Sequence, residues 1–144
     1  MRSRKESNHR IFSDYERGFL EALIDGEGNL GILKNHAPMI AITNTSYHFL
    51  YKAGIIIGEN VEIKRGTPTR VRPENHKAFY RLRIFGQKEV ENILSQINLL
   101  VKRKQQDLIL QALSLLREKS PDYRLRLEAI RKEMVIWNRR GVEK

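Results

Sequence analysis

Apolar residues recur at intervals of three and four near the start of the chain, a spacing that predicts an amphipathic helix from Ser13 to about Asp25. Ser13 and Glu16 have the spacing of a capping box, in which each side chain accepts a hydrogen bond from a backbone N–H of the first turn. Gly26 and Gly28 are expected to end the helix. The apolar positions of this segment are Phe19, Leu20, Leu23 and Ile24.

The period then changes to two, which is typical of half-buried strands. Two such runs, at 29–33 and 39–43, flank a turn with Pro38 and predict a β-hairpin. A third strand is predicted around Val61 and Ile63, and a fourth at 77–85. The positions expected to face the core are Leu30, Ile32, Ile40, Ile42, Tyr80, Leu82 and Ile84. Their neighbours along each strand are expected on the opposite face.

Helical spacing returns in four further segments. It predicts helices at 46–57 and 87–101, one through Leu108 and Leu115, and one after Pro121 through Leu127 and Trp137. The order α-β-β-α-β-β-α with added C-terminal helices indicates an α+β fold. We expect one domain at 13–144, with its core at about 13–116 and a helical extension at about 117–140. Residues 1–12 are expected to form a flexible basic arm and 66–76 a long basic loop.

Composition narrows the functional classes. The chain has 144 residues and a formal net charge of +10, which favours polyanionic partners, above all nucleic acid. It contains no cysteine, which excludes disulfides, thiol catalysis and Cys-based zinc sites. The four histidines show no metal-binding spacing. With no secretory leader and no apolar run long enough to span a membrane, the chain is expected to be intracellular, in the cytoplasm or in an organelle or nucleoid that contains nucleic acid.

Charge is unevenly distributed along the chain. Residues 64–88 contain eight basic residues and one acid, whereas residues 14–28 contain five acids and one basic residue. A basic sheet surface suits a phosphate backbone, although Arg81 and Arg83 alone would also fit an ordinary solvated sheet face. The acids Asp25 and Glu27 lie at the carboxyl end of the predicted helix, where the helix dipole disfavours negative charge. Acids at that position suggest a bound cation.

Small residues follow one face of the same helix at Gly18, Ala22 and Gly26. That face could pack closely against the protein's own sheet or against a second copy of the helix. In the second arrangement two Glu27 carboxylates would meet beside DNA, and two such charges about 4 Å apart repel by roughly 4 kcal/mol at an effective dielectric of about 20. A divalent metal would relieve that repulsion, and Mg²⁺ is the natural candidate because carboxylates and phosphate oxygens are its ligands.

At these residues the chain resembles the LAGLIDADG homing endonucleases in their single-motif form. The segment LEALIDGEG, 20–28, aligns without gaps on the family's nine-residue motif and is identical at five positions, Leu20, Leu23, Ile24, Asp25 and Gly28. The resemblance covers roughly residues 13–116. It implies the family's αββαββα fold with a saddle-shaped antiparallel sheet.

The resemblance also implies roles for individual residues near the motif. Glu27 would be the catalytic metal ligand, assisted by the Gly26 carbonyl, with Mg²⁺ as the metal and Mn²⁺ as a substitute. Lys102 is the best match to the family's active-site lysine, with Lys104 as the alternative, and both would also fit a solvated basic cluster. Asn44 aligns with a residue that positions solvent, but it also reads as a turn residue.

Single-motif members act as homodimers, so a pseudo-palindromic double-stranded DNA site on the order of 20 base pairs is expected. The expected dimer interface comprises Gly18, Ala22, Leu23, Asp25 and Gly26. The expected DNA-binding residues are Asn29, Leu33, Asn35, Lys64, Arg70, Arg72, Lys77, Arg81 and Arg83. The apolar residues Leu33, Met39 and Ala41 either contact thymine methyl groups or indicate a register shifted by one residue.

The resemblance therefore implies a site-specific, metal-dependent homing endonuclease that makes a double-strand break and promotes intron mobility. The alternative on the same fold is an RNA-splicing maturase, or a DNA- or RNA-binding regulator without cleavage. A more distant alternative is an unrelated basic ribosomal or RNA-chaperone protein. No membrane partner is expected, and RNA is expected only for these alternatives. The C-terminal helix could add phosphate contacts or only pack on the domain.

Overall fold

The computed structural model describes residues 10–65 and 78–140 of the chain. Four strands and five helices alternate in the order αββαββ followed by three helices. Their bounds are α1 Asp14–Glu27, β1 Gly28–Ile32, β2 Pro38–Asn44, α2 Tyr47–Ile57, β3 Glu62–Arg65, β4 Ala78–Phe85, α3 Gln87–Leu94, α4 Arg103–Glu118 and α5 Tyr123–Arg140. The loop predicted at 66–76 and residues 1–9 of the predicted arm lie outside the described residues.

The strands form one antiparallel sheet in the order β1-β2-β4-β3. Its inner face is apolar because every second residue points to the helices, and these residues are buried: Leu30, Ile32, Ile40, Ile42, Leu82 and Ile84. They form a single core with the buried residues of the helices. This result confirms the predicted strand alternation and the α+β class. The outer face of the sheet is left for other contacts.

The first helix begins as predicted and ends two residues later than predicted. The Ser13 side chain accepts a hydrogen bond from the Glu16 N–H, and the Glu16 carboxylate accepts one from the Ser13 N–H, so both halves of the capping box form. Gly26 remains helical, and the chain leaves the helix at Gly28, whose N–H donates to the Ile24 carbonyl. A Cβ atom on Gly28 would lie 2.8 Å from that carbonyl oxygen. Gly28 is therefore required by close packing, since its backbone is in the extended region.

The third helix is shorter than predicted: it ends at Leu94 and does not reach Val101. The buried Gln106 side chain replaces the helical hydrogen bonds, since its Nε2 donates to the Leu94 and Ile97 carbonyls, each at 2.8 Å. Its Oε1 accepts a hydrogen bond from the Leu99 N–H at 3.0 Å. These bonds hold residues 95–102, which we call the α3–α4 loop, in a non-helical course.

Residues 10–12 pack on the domain. Phe12 is buried, and its N–H donates to the Gln96 side chain at 2.9 Å. The Arg10 carbonyl accepts a hydrogen bond from Gln96 Nε2, also at 2.9 Å. Residues 10–12 therefore belong to the packed domain, which differs from the flexible arm expected at 1–12.

The C-terminal helix α5 packs on α4 and on the edge strand β1. Asn138 Nδ2 donates to the Leu30 carbonyl at 3.0 Å, so α5 covers part of an edge that would otherwise be open to pairing. At the tip of the first hairpin, His36 Nε2 lies 2.9 Å from the Glu128 carboxylate. Hydrogen bonds from Arg131 and His36 lower the pKa of Glu128 from its ordinary value to about 2. Among residues 10–65 and 78–140, no helix is long and apolar enough to cross a membrane.

Candidate active site and nucleic-acid interface

Glu27 is the last residue of α1, and its side chain is exposed. Among the described residues, none forms a hydrogen bond or an ion pair with its carboxylate. Glu27 lines an open cavity of about 470 Å³ together with Thr43, Asn44, Thr45 and Phe79. The structure thus brings two of the predicted site residues, Glu27 and Asn44, to the same cavity.

The neighbouring acid Asp25 is engaged by the backbone of the α3–α4 loop. Its carboxylate accepts hydrogen bonds from the N–H groups of Leu100, Val101 and Lys102, at 2.7, 3.1 and 3.0 Å. Glu21, one turn earlier, accepts a bond from the Asn98 N–H at 2.9 Å. These bonds offset the unfavourable placement of Asp25 at a helix carboxyl end. In the C-terminal half of α1, Glu21 and Asp25 therefore anchor the loop, whereas Glu27 is available to a ligand.

The loop anchored by Asp25 positions Lys102. Its Nζ donates to the Asp25 carbonyl oxygen at 2.7 Å, so the ammonium group lies at the same helix end as Glu27. Lys104, the alternative, contacts α5 instead, with Nζ 3.8 Å from the Glu133 carboxylate and 5.9 Å from the centre of the Trp137 ring. The geometry favours Lys102 as the basic residue near Glu27, although Lys102 does not line the cavity itself.

Asn44 serves the turn before α2 and also lines the cavity. Its Oδ1 accepts a hydrogen bond from the Ser46 N–H at 2.7 Å. The amide nitrogen keeps its two N–H donors, and none of the described residues accepts from them. Asn44 can therefore hold a ligand oxygen or a water molecule in the cavity while it fixes the end of β2.

The residues near Glu27 offer oxygen ligands, which magnesium prefers, but the described residues supply only a few such oxygens. Glu27 contributes a carboxylate and Gly26 a backbone carbonyl at the end of α1, whereas the Asp25 carboxylate is occupied by backbone N–H groups. In the part of the chain that the structure describes, no group of three or more His, Cys, Asp or Glu residues could hold a metal ion. A metal at the end of α1 would need oxygen ligands beyond those that the described residues supply.

The small-residue face of α1, formed by Gly18, Ala22 and Gly26, is exposed. A Cβ atom built on Gly18 or on Gly26 would meet no atom within 4 Å. The face therefore does not pack against the protein's own sheet, which was one of the two interpretations of the pattern. Leu23, also predicted at the dimer interface, is 9% exposed and belongs to the core, and the Asp25 side chain is half-buried against the α3–α4 loop.

The outer face of the sheet carries the predicted DNA-binding side chains that the structure describes. Asn29 is exposed in β1, and Leu33 is exposed one residue beyond its end. The predicted register of this strand, with these residues on the outer face, is therefore correct. Asn35 is exposed in the hairpin turn, where its Oδ1 accepts a bond from the Ala37 N–H. Lys64 lies in β3, but the structure does not describe its side chain. Arg70, Arg72 and Lys77 lie outside the described residues.

Arg81 and Arg83 share a carboxylate that the sequence analysis missed. Arg81 Nε lies 3.4 Å from Oε1 of Glu62, and Arg83 Nη2 lies 3.2 Å from Oε2. The hydrogen bond from Arg83, followed by the positive charges of both arginines, lowers the pKa of Glu62 against the opposing effect of burial. Strand alternation could have placed Glu62 on this face, because it lies between Val61 and Ile63, the two apolar residues of the predicted third strand.

Comparison with known proteins gives a family and a fold. The family model described as LAGLIDADG-like domain matches residues 14–98, more than half of the chain. No curated protein matches the chain in sequence.

Three solved structures share the fold. The archaeal intron-encoded homing endonuclease I-Vdi141I, solved in complex with DNA, has a TM-score of 0.63 at 15% identity, over 86% of this chain and 84% of that chain. The homing endonuclease I-TnaI has a TM-score of 0.62 at 16% identity, over 88% of this chain and 95% of that one. The homing endonuclease I-CvuI, solved with its target in the presence of calcium, has a TM-score of 0.59 at 15% identity, over 87% and 85% of the two chains.

Proposed function

Because the chain belongs to the LAGLIDADG-like domain family, we propose that it is a homing endonuclease that binds a long pseudo-palindromic DNA site as a homodimer and cuts both strands. Cleavage would be hydrolysis of a phosphodiester bond with Mg²⁺, and Mn²⁺ would substitute. The double-strand break would promote mobility of the intron that encodes the protein. The observation that carries this proposal is the exposed Glu27 carboxylate at the end of α1, in one cavity with Asn44.

Glu27 and Gly26 would hold the metal through the Glu27 carboxylate and the Gly26 carbonyl. The metal would supply an activated water and charge stabilisation at the scissile phosphate. Lys102, fixed by its bond to the Asp25 carbonyl, adds a positive charge beside the site and stabilises the negative charge that develops on the phosphate. Asn44 would orient water within the cavity through its free amide donors.

Dimerisation through the small-residue face would complete the site. An isologous pairing of two α1 helices brings their Glu27 residues to opposite sides of one two-fold axis. The exposure of Gly18, Ala22 and Gly26 supports this arrangement, because a partner helix can approach closely where no side chain extends beyond Cβ. One carboxylate per protomer then suffices for a symmetric pair of cuts.

DNA would lie on the outer face of the sheet. The cavity that holds Glu27 adjoins this face, because Thr43 and Phe79 belong both to the cavity lining and to the outward-facing positions of β2 and β4. Side chains of the face can therefore read base edges while the phosphate backbone reaches Glu27. The basic residues counted in the sequence at 64–88 would supply phosphate contacts and a steep dependence on salt.

The test is cleavage of a randomised duplex library by the wild-type protein in Mg²⁺, in Ca²⁺ and in EDTA. The proposal expects cutting in Mg²⁺ at one pseudo-palindromic sequence and no cutting in EDTA. Sequence-selective binding without cutting in any condition would replace the endonuclease with a maturase or regulator on the same fold. Preference for RNA together with monomeric behaviour would contradict the proposal as a whole.

A further inference from the structure

Glu62 occupies an unexpected place for an acid, on the sheet face that is proposed to meet DNA. In the β3–β4 register it lies directly opposite Arg81, and Arg81 lies opposite Thr43 in the β2–β4 register. Thr43 lines the cavity that contains Glu27. The row Thr43, Arg81 and Glu62 is therefore next to the candidate cleavage site. The row of Ala41 and Arg83, nearer the tip of the β1–β2 hairpin, is farther away.

The contacts of Glu62 leave one arginine ready to recognise a base. Glu62 meets Arg81 only at Nε, and within the described part of the chain no group binds Nη1 or Nη2 of Arg81. These two nitrogens form the end of the guanidinium, which can donate in parallel to O6 and N7 of guanine. The second oxygen of Glu62 binds Arg83 Nη2, and the Arg83 guanidinium also lies 5.3 Å from the centre of the Phe85 ring.

Stability alone does not account for this cluster. The side chains of Arg81, Arg83 and Glu62 are 25%, 33% and 42% exposed, and ion pairs with this much solvent contribute little to folding. A carboxylate on a DNA-binding face also repels phosphate, so it weakens affinity for DNA of any sequence. Its physical benefit is to hold an arginine in one orientation before DNA arrives.

We propose that Glu62 is a positioning residue that holds Arg81 for bidentate recognition of guanine at the base pairs nearest the cleavage site. This role rests on the proposed function, since it requires DNA on the outer face of the sheet. It identifies a residue that sets sequence preference through another side chain. It also predicts that the guanine preference is located in the inner part of each half-site.

The experiment is a binding selection from randomised duplexes in EDTA, followed by salt titrations on selected and unrelated DNA. The variants are Glu62→Gln, Arg81→Lys and, as a control, Glu118→Gln, which removes the same charge from the end of α4, outside the sheet. Glu62→Gln should lower the preference for guanine at the inner positions about tenfold, within the range that one bidentate contact supplies. It should also bind unrelated DNA more tightly, with a salt dependence steeper by about one unit for each protomer of the dimer.

A lower guanine preference together with a higher affinity for unrelated DNA distinguishes loss of positioning from damage to the fold, because a damaged fold would bind both selected and unrelated DNA more weakly. Arg81→Lys should lose the inner guanine preference, because a lysine cannot donate in the same planar pair, and Glu62→Gln should add no further loss in that background. An unchanged base preference in Glu62→Gln, or equal changes in Glu118→Gln, would overturn the role. Failure of the wild-type protein to select any sequence would overturn the proposed function, and this role with it.

Discussion

Replacing Gln106 by leucine tests whether the α3–α4 loop is held by one buried amide. Gln106 is 4% exposed and is bonded to three backbone groups, the Leu99 N–H and the carbonyls of Leu94 and Ile97. Leucine has a similar volume, so the substitution removes hydrogen bonds without opening a large cavity. The loop that depends on this amide carries Lys102 and the backbone N–H groups bound by Asp25.

The expected cost follows from the three groups left without a partner. A buried unpaired N–H or C=O costs about 1–3 kcal/mol, so the loss of partners for three such groups should lower the free energy of unfolding by about 3–9 kcal/mol. Gln105 provides a matched control, because it is 6% exposed but forms one long hydrogen bond, 3.4 Å, to the Asn138 side chain. Gln105→Leu should cost less than about 1 kcal/mol.

Urea unfolding followed by circular dichroism, at one fixed protein concentration, measures both variants. With a dependence of about 2 kcal/mol per molar urea, Gln106→Leu should lower the midpoint of unfolding by at least about 1.5 M, and Gln105→Leu by less than about 0.5 M. If the two variants have the same midpoint, the amide does not hold the loop, and the short α3 needs another explanation.

Three further substitutions test other parts of the structure. Gly28→Ala should lower the thermal midpoint by a few degrees, because the added Cβ would lie 2.8 Å from the Ile24 carbonyl oxygen. Gly31→Ala should leave the midpoint unchanged, because its Cβ makes only an ordinary contact at 3.7 Å, and equal midpoints for the two variants would refute this packing argument. The Glu128 carboxylate, whose pKa is lowered to about 2, should stabilise the fold above pH 4.5 and lose that effect as the pH falls toward 2. The difference in unfolding free energy between wild type and Glu128→Gln should therefore shrink over this range, and a constant difference would contradict the pairing of Glu128 with Arg131 and His36. Ala22→Leu should separate the helices and give a monomer in light scattering, and an active dimer would place the interface elsewhere.

The two faces of the sheet could be predicted from the sequence because strand alternation is a local property. Ile40 and Ile42 point inward and Arg81 and Arg83 outward, as the period of two indicated. The end of α3 could not be predicted in this way. Ile97 continues the helical spacing and is buried, but its backbone is non-helical because the buried Gln106 side chain, in the next helix, binds the Ile97 carbonyl.

The motif at 20–28 identified Glu27, so this part of the candidate site could be predicted from the sequence. Glu27 and Asn44 are separate in sequence, and the adjacency of α1 to β2 brings them to one cavity. The bonds from Asp25 to the α3–α4 loop span 75 to 77 residues, so no local pattern reports them. Glu62 could not be recognised in this way, because it lies just before the basic segment 64–88 and its two arginine partners come from a different strand.

The most direct test of the catalytic role of Glu27 compares Glu27→Gln with Glu118→Gln on the duplex selected by the wild-type protein. Both residues end a helix with an exposed carboxylate, and both substitutions remove one charge, but only Glu27 lies in the cavity with Asn44. We expect Glu27→Gln to bind the duplex at least as tightly as wild type and not to cut it in Mg²⁺, whereas Glu118→Gln should bind and cut as wild type does. Cutting by Glu27→Gln at the wild-type rate would contradict the assignment of Glu27 as the catalytic ligand.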